Sequence, residues 1–145
     1  MAKRRKKVAK GHSEPPTSDC LLLCDDVLIS QGKNKHSLMG VIGGIGVGGF
    51  PAVLHGYVAY ARFSNVYSGQ QIAIRFSSAA SDEILFEATA EFPEQSDPLG
   101  VYTLVIPIQP FVVREEGRYL FGAYHNDVPV AASPIQIQGP PQAEE

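Results

Sequence analysis

Alternation of apolar and polar side chains with a period of two is the feature that most constrains the fold of this chain. The pattern is clearest in residues 71–76 and 84–92, and it is typical of strands with one buried face. The apolar positions predicted to face the core are Ile72, Ile74, Phe76, Ile84, Phe86, Ala88, Ala90 and Phe92. No segment shows the i, i+3, i+4 spacing of an amphipathic helix, so the sequence predicts strands almost throughout.

Turn residues divide the body into about eight short strands, which favours an all-β, two-layer antiparallel β-sandwich of the immunoglobulin-like or jelly-roll type. QGKNK, residues 31–35, is predicted as a hairpin turn. Gly117 opens a closing hairpin that turns at Asn126 and Asp127, residue types that tolerate positive φ. Its inward positions are Tyr119, Phe121, Ala123, Ile135 and Ile137.

Prolines in the last strand predict its position in the sheet. Pro129 and Pro134 lack the N–H group that a hydrogen-bonded ladder needs. The strand that contains them is therefore predicted to lie at a sheet edge.

Charge is split between the two parts of the chain. Residues 1–10 hold six of the twelve Lys and Arg and no carboxylate, whereas the rest holds six cations against fifteen carboxylates, a formal charge of −9. We predict a disordered basic arm at 1–19, a sandwich domain at 20–138 and a flexible C-terminal tail at 139–145. The arm's cations are Lys3, Arg4, Arg5, Lys6, Lys7 and Lys10.

This arm suits several partners. A cationic run binds nucleic acid or anionic lipid through counterion release, and it also binds a carboxylate-rich protein surface. The alternative is a solubilising terminus with no dedicated ligand.

The cysteines and the N-terminal region indicate a cytoplasmic protein. Cys20 and Cys24 lie in the predicted strand CLLLC, where their Cα atoms would be about 13 Å apart, too far for a disulfide. Free thiols are typical of a reducing compartment. The basic run is followed by GHSEPPTSD rather than by an apolar signal segment, and no apolar stretch is long enough to span a bilayer.

Motifs for catalysis or cofactor binding fail on spacing. The glycine-rich segment at residues 40–49 lacks the following Gly-Lys-Ser/Thr of a phosphate loop, so it is interpreted as a bent strand and loop. The histidines, cysteines and aspartates show no metal-ligand spacing. Cys24 has no nearby cation that would activate it and is interpreted as a buried structural thiol. We therefore predict no catalytic, cofactor or metal residues.

Two tyrosine–arginine pairs are candidates for surface contacts. Tyr60 and Arg62 share one face of a predicted strand, and Arg118 and Tyr124 share one face of another. Such aromatic rings with flanking cations suit base stacking, and the alternative is ordinary cross-strand packing on a sheet surface.

The body resembles a family of uncharacterised bacterial domains. Its motifs are a Leu-Cys-Asp start, a Gly-Lys hairpin, a Leu-x-Gly step and a closing Gly-x-Tyr-x-Phe hairpin, over about residues 20 to 138. The matching positions here are Leu23, Cys24, Asp25, Gly32, Lys33, Leu38, Gly40, Gly117, Tyr119 and Phe121. The resemblance implies an intracellular bacterial β-sandwich and brings no catalytic residues.

These observations favour a non-catalytic protein-interaction or assembly module that offers a sheet face or edge to a protein partner, which includes a homo-oligomer. The alternative is a nucleic-acid-associated protein whose arm contacts phosphates, including a capsid-like assembly. An enzyme with residues brought together only by folding is the third hypothesis.

Overall fold

Eleven strands build the part of the chain that the computed structural model describes, residues 14–30, 35–94 and 97–141. They are β1 (Thr17–Ser30), β2 (Lys35–Val41), β3 (Gly44–Gly46), β4 (Ala52–Leu54), β5 (Val58–Ser64), β6 (Gln71–Ser78), β7 (Ile84–Glu91), β8 (Tyr102–Pro107), β9 (Phe111–Val113), β10 (Gly117–His125) and β11 (Val128–Gln138). The count exceeds the predicted eight by three. The glycine-rich segment ends β2 and contains β3, which lies in a different sheet, and the other two additional strands are β4 and β9.

Two main sheets face each other across one core. The first has the order β2-β1-β5-β8, and the second has the order β3-β11-β10-β6-β7. A small third sheet pairs β4 with β9. The core contains Leu21, Leu23 and Phe63 from the first sheet together with Ile74 and Phe121 from the second. The prediction of an all-β sandwich is confirmed, and no helix that could cross a membrane occurs in the described ranges.

Aromatic rings fill one part of the core. The ring centroid of Phe76 lies 4.9 Å from that of Phe111 and 5.7 Å from that of Tyr119. Ile72, Ile74 and Phe76 are at most 2% exposed, as the alternation of β6 predicts. Burial of side chains of this size stabilises the fold by roughly 1.5–3 kcal/mol each.

One predicted core position is wrong. Ile84 is 48% exposed, while its neighbour Leu85 is half-buried and packs against the core. The cause is a register shift: Phe76 pairs with Phe86, but Ser77 pairs with Ile84. The extra residue in β7 is a β-bulge. Because of it, the side chains beyond the bulge point to the opposite face of the sheet from the one that strict alternation predicts.

The closing hairpin forms as predicted. Asn126 and Asp127 have φ values of 52° and 64°, and all five predicted inward side chains are buried. β3 pairs with β11 only at Gln136, Ile137 and Gln138. The rest of that side of β11, which contains both prolines, has no strand beside it in the described part of the chain.

Contacts with the body extend slightly beyond both predicted ends of the sandwich domain. β1 begins at Thr17, and the Glu14 carbonyl accepts a hydrogen bond of 2.7 Å from Gln70 Nε2. Residues 14–19, predicted as part of the arm, thus contact the body because β1 pairs with β5 as far as Thr17. At the other end, the Gly139 amide donates to Glu116 Oε1 at 3.1 Å. Residues 1–13, which contain the six cations of the arm, lie outside the described ranges, as do residues 142–145.

Candidate functional site

A two-stranded ribbon extends beyond the body of the first sheet. We define the β1–β2 ribbon as residues 25–30 of β1 together with β2. Its register runs from Asp26 opposite Met39 to Ser30 opposite Lys35. Within the described residues β2 pairs with β1 alone, so the far side of β2 is a free edge. The ribbon therefore presents unpaired backbone groups along a strand of seven residues.

The ribbon folds back over the outer face of the first sheet. His36 Nδ1 and the Tyr60 hydroxyl are hydrogen-bonded at 2.9 Å, although Tyr60 pairs with Leu22 and His36 pairs with Ile29. In a straight strand Leu22 and Ile29 would be about 23 Å apart. The hydrogen bond therefore requires a strong bend of β1 between them, and it leaves Tyr60 only 5% exposed on the outward face of β5.

Both faces of the ribbon carry exposed apolar side chains. His36 and Leu38 lie on the face that turns toward the body and are half-buried, but Ile29, opposite His36 on that face, is 58% exposed. On the opposite face Leu28, Met39 and Val41 are 52%, 51% and 54% exposed. Asp26 and Lys35 share this outer face. It is thus an apolar stripe with an acidic residue near the base of the ribbon and a basic residue near its tip.

A glycine holds the geometry at the base of the ribbon. Gly40 has a φ of +66°, a conformation that costs little only for glycine. A methyl group added there would overlap the carboxylate of Asp25 across the ribbon. Gly40 therefore allows Asp25 to lie directly over the backbone of β2.

The four predicted contact residues lie on two different sheets and form no common surface. Tyr60 is buried, and Arg62 forms an ion pair of 3.7 Å with Asp19 in which both side chains are nearly half exposed. Such an exposed pair contributes little to stability. A crevice of about 590 Å³ lies between the ribbon and strands β5 and β8. Its lining residues are His36, Tyr60, Arg62, Val101, Tyr102 and Thr103.

On the second sheet, Tyr124 is occupied by contacts within the chain. The guanidinium of Arg75 lies 4.6 Å from the centroid of its ring. Arg75 also binds Asp127 at 2.6 Å and Glu87 at 2.5 Å, and these hydrogen bonds raise its pKa. Arg118 is exposed. A ring already stacked on a neutralised cation offers little to a nucleic-acid base, which weakens the stacking hypothesis for this face.

The candidate reactive side chains are buried. Cys24 is fully buried, and desolvation raises the pKa of its thiol, with further contributions from Cys20 and Asp25. His125 is 5% exposed, and desolvation lowers its pKa. Burial disfavours the thiolate that a nucleophile requires. Among the described residues no three His, Cys, Asp or Glu side chains form a cluster suited to a metal ion.

The two thiols are expected to differ in reactivity by about a hundredfold or more, because Cys24 reacts only when the structure opens locally. Timed labelling of the native protein with a chromogenic disulfide reagent measures both rates. The Cys20→Ser variant isolates Cys24, and labelling in denaturant shows that its thiol is intact. Similar rates for the two native thiols would contradict this burial.

Sequence reasoning predicted the two strands and a hairpin turn between them, but it did not predict that the hairpin extends beyond the first sheet and folds back over it. One signal was present: Leu28 and Ile29 are adjacent, as are Leu38 and Met39, so both faces of the hairpin carry apolar side chains. A strand with one face in solvent should alternate instead.

Comparison with known families covers nearly the whole body. A family model described as a family of unknown function (DUF6941) matches residues 19–138. No curated protein matches the chain.

Proposed function

The chain belongs to DUF6941, a family of unknown function, and from its own geometry we propose that it is a non-catalytic protein-interaction module whose contact element is the β1–β2 ribbon. The observation that carries the proposal is the combination of a free strand edge with an exposed apolar face on one hairpin. Strand addition at such an edge gains backbone hydrogen bonds and buries apolar side chains together.

The other edges of the two main sheets carry features that oppose strand addition. β7 has Glu87 and Glu91, and β3 has only three residues. β8 ends in Pro107, and its other side chains are half-buried. By contrast β2 has no proline and no carboxylate. Charged residues, prolines and short length are the usual protections of an edge, so β2 is the least protected of them.

The contact face also fits a binding role better than a catalytic one. Met39 and Leu28 are large and flexible, and their exposed surface offers apolar contact without a polar group. The thiol of Cys24 and the imidazole of His125 are both buried. A substrate in solvent could therefore not reach them in this structure.

We further propose that the module works in the cytoplasm of a bacterial cell, as the sequence resemblance implies. Support comes from the free thiols of Cys20 and Cys24, which sit on one strand at a separation that suits no disulfide between them.

Affinity capture from a lysate of the native host tests the proposal. The bait is the full chain, compared with a ribbon variant that combines Leu28→Ser and Met39→Ser. The matched control combines Val53→Ser and Val128→Ser, which change side chains 57% and 56% exposed elsewhere on the surface. We expect the control to retain the same protein as the wild type and the ribbon variant to lose it. Purified partner is then titrated against all three baits.

A bait that lacks residues 1–13 separates the ribbon from the basic arm, and it keeps Glu14 and β1 intact. Retention of the partner by this bait supports the ribbon. If capture needs the arm and disappears with nuclease or high salt, the nucleic-acid alternative replaces the proposal. Equal retention by the ribbon variant and the control overturns it as well.

A further inference from the structure

The free edge of β2 is suited to pair with an identical strand. We propose that a second copy of this chain is the partner of the ribbon, through antiparallel pairing of the two β2 strands about a two-fold axis. This inference rests on the proposed function and specifies its partner. The two ribbons would then join into one four-stranded antiparallel sheet between the copies.

The backbone supports this pairing. The amide of Ile42 donates to the Leu23 carbonyl at 2.7 Å, so its N–H points toward β1. In an antiparallel ladder the backbone groups of alternate residues point to opposite sides. The backbone groups of every second residue of β2 therefore point to the free edge, where a second strand can accept and donate in turn.

Charge selects the antiparallel direction. Lys35 lies near the tip of the ribbon, and Asp25 and Asp26 lie at its base. Antiparallel pairing sets the tip of one ribbon beside the base of the other, whereas parallel pairing would set like charges side by side. With the axis at Ser37, Lys35 lies opposite Met39 of the second copy, whose neighbour on β1 is Asp26. Two strand spacings, about 10 Å between Cα atoms, then separate Lys35 and Asp26, within reach of a lysine side chain.

Apolar contact adds to the backbone pairing. Lys35, Ser37 and Met39 share the outer face of β2. With the axis at Ser37, the Met39 side chain lies opposite Lys35 of the second copy and packs against the aliphatic stem of that lysine. Each copy has one β2 edge, and the pairing uses it, so no β2 edge remains for a third copy. The pairing therefore predicts a dimer rather than a filament.

Sedimentation velocity of the full-length chain over a wide range of concentration tests the inference. We expect a concentration-dependent dimer. Ser37→Asp should give a monomer with an unchanged circular dichroism spectrum, because Ser37 is exposed and the change would set two carboxylates opposite each other at the axis. Ser37→Thr is the matched control and should remain dimeric.

A charge exchange tests the direction of pairing. Lys35→Asp should weaken dimerisation by about two- to thirtyfold, since the two-fold axis doubles the loss of one exposed pair. Adding Asp26→Lys to the same chain should restore it. If the double variant is as weak as Lys35→Asp, the antiparallel arrangement is wrong.

Two results overturn the dimer. One is a monomer at every concentration, and the other is a dimer that Ser37→Asp leaves unchanged, which would place the contact on another surface. Neither result decides the proposed function, because a ribbon-dependent heterologous partner in the capture experiment would still support it. The proposed function is overturned by a different result, namely equal capture of the partner by the ribbon variant and by its control.

Discussion

Replacement of Phe76 by alanine is expected to lower the free energy of unfolding by about 3–5 kcal/mol. Phe76 is 2% exposed and lies on β6, between strands β10 and β7 of the second sheet. Its ring packs against Tyr119 of the same sheet and Phe111 of the small sheet. The substitution would leave a cavity where these two sheets meet, and neighbours on three hydrogen-bonded strands cannot collapse into it fully.

Phe86→Ala is the matched control. Phe86 also packs against Phe111, with ring centroids 6.1 Å apart, but it is half-buried on the edge strand β7. We expect a loss of about 1–2 kcal/mol there, because part of the ring is already in water. Urea unfolding of both variants measures the difference, provided that the denaturant slope is unchanged. Equal losses at the two positions would show that this aromatic cluster is not centred on Phe76.

Gly40→Ala is expected to cost about 1–3 kcal/mol, which is large for the addition of one methyl group to an exposed strand. The φ of +66° accounts for part of the cost, because a side chain disfavours it. The overlap with the Asp25 carboxylate accounts for the rest. We expect the ribbon to loosen first, so amide hydrogen exchange should rise in β2 before it rises in β10.

Two comparisons separate the causes. Gly43 lies close by in the chain, has no positive φ and has no atom within 4 Å of an added Cβ, so Gly43→Ala should be nearly neutral. With Asp25→Gly in the background, Gly40→Ala should keep only the conformational cost of about 1–2 kcal/mol. A cost that does not change in this background would mean that the Asp25 side chain moves aside freely.

The Gly40→Ala variant also links the stability of the ribbon to the binding of a partner by the ribbon. A bend that is no longer held at Gly40 would release His36 from Tyr60 and change the path of β2. Gly40→Ala should therefore weaken any contact made by the ribbon, whereas Phe76→Ala acts on a core remote from the outer face of β2. Comparison of the two variants in sedimentation, below their unfolding transitions, tests whether the ribbon carries the contact.

Much of the core was predictable from the chain alone. The alternation in β6 and β10 identified Ile72, Ile74, Phe121 and Ala123 as inward residues, and all of them are buried. Asn126 and Asp127 identified the closing turn because their side chains tolerate positive φ. The prediction failed at Ile84, where a bulge depends on how β7 aligns with β6 and leaves no mark in either strand by itself.

The candidate site was less predictable. Tyr60 and Arg62 were correctly placed on one face of a strand, but the burial of Tyr60 depends on His36, which lies 24 positions earlier. Tyr124 was correctly placed opposite the core, yet its contact with Arg75 comes from a different strand. Local patterns show which way a side chain points and not what covers it.

By itself the sequence determined that this protein is built from strands, which side chains of β6 and β10 face inward, and where the closing hairpin turns. These are properties of an extended chain and its turns, which depend on neighbours in sequence. Only the tertiary structure decided that β2 is a free edge, that β1 bends to place His36 on Tyr60, and that Asp25 lies over Gly40. Each of these depends on contacts between strands, and the stability of such contacts depends on the packing of the whole domain.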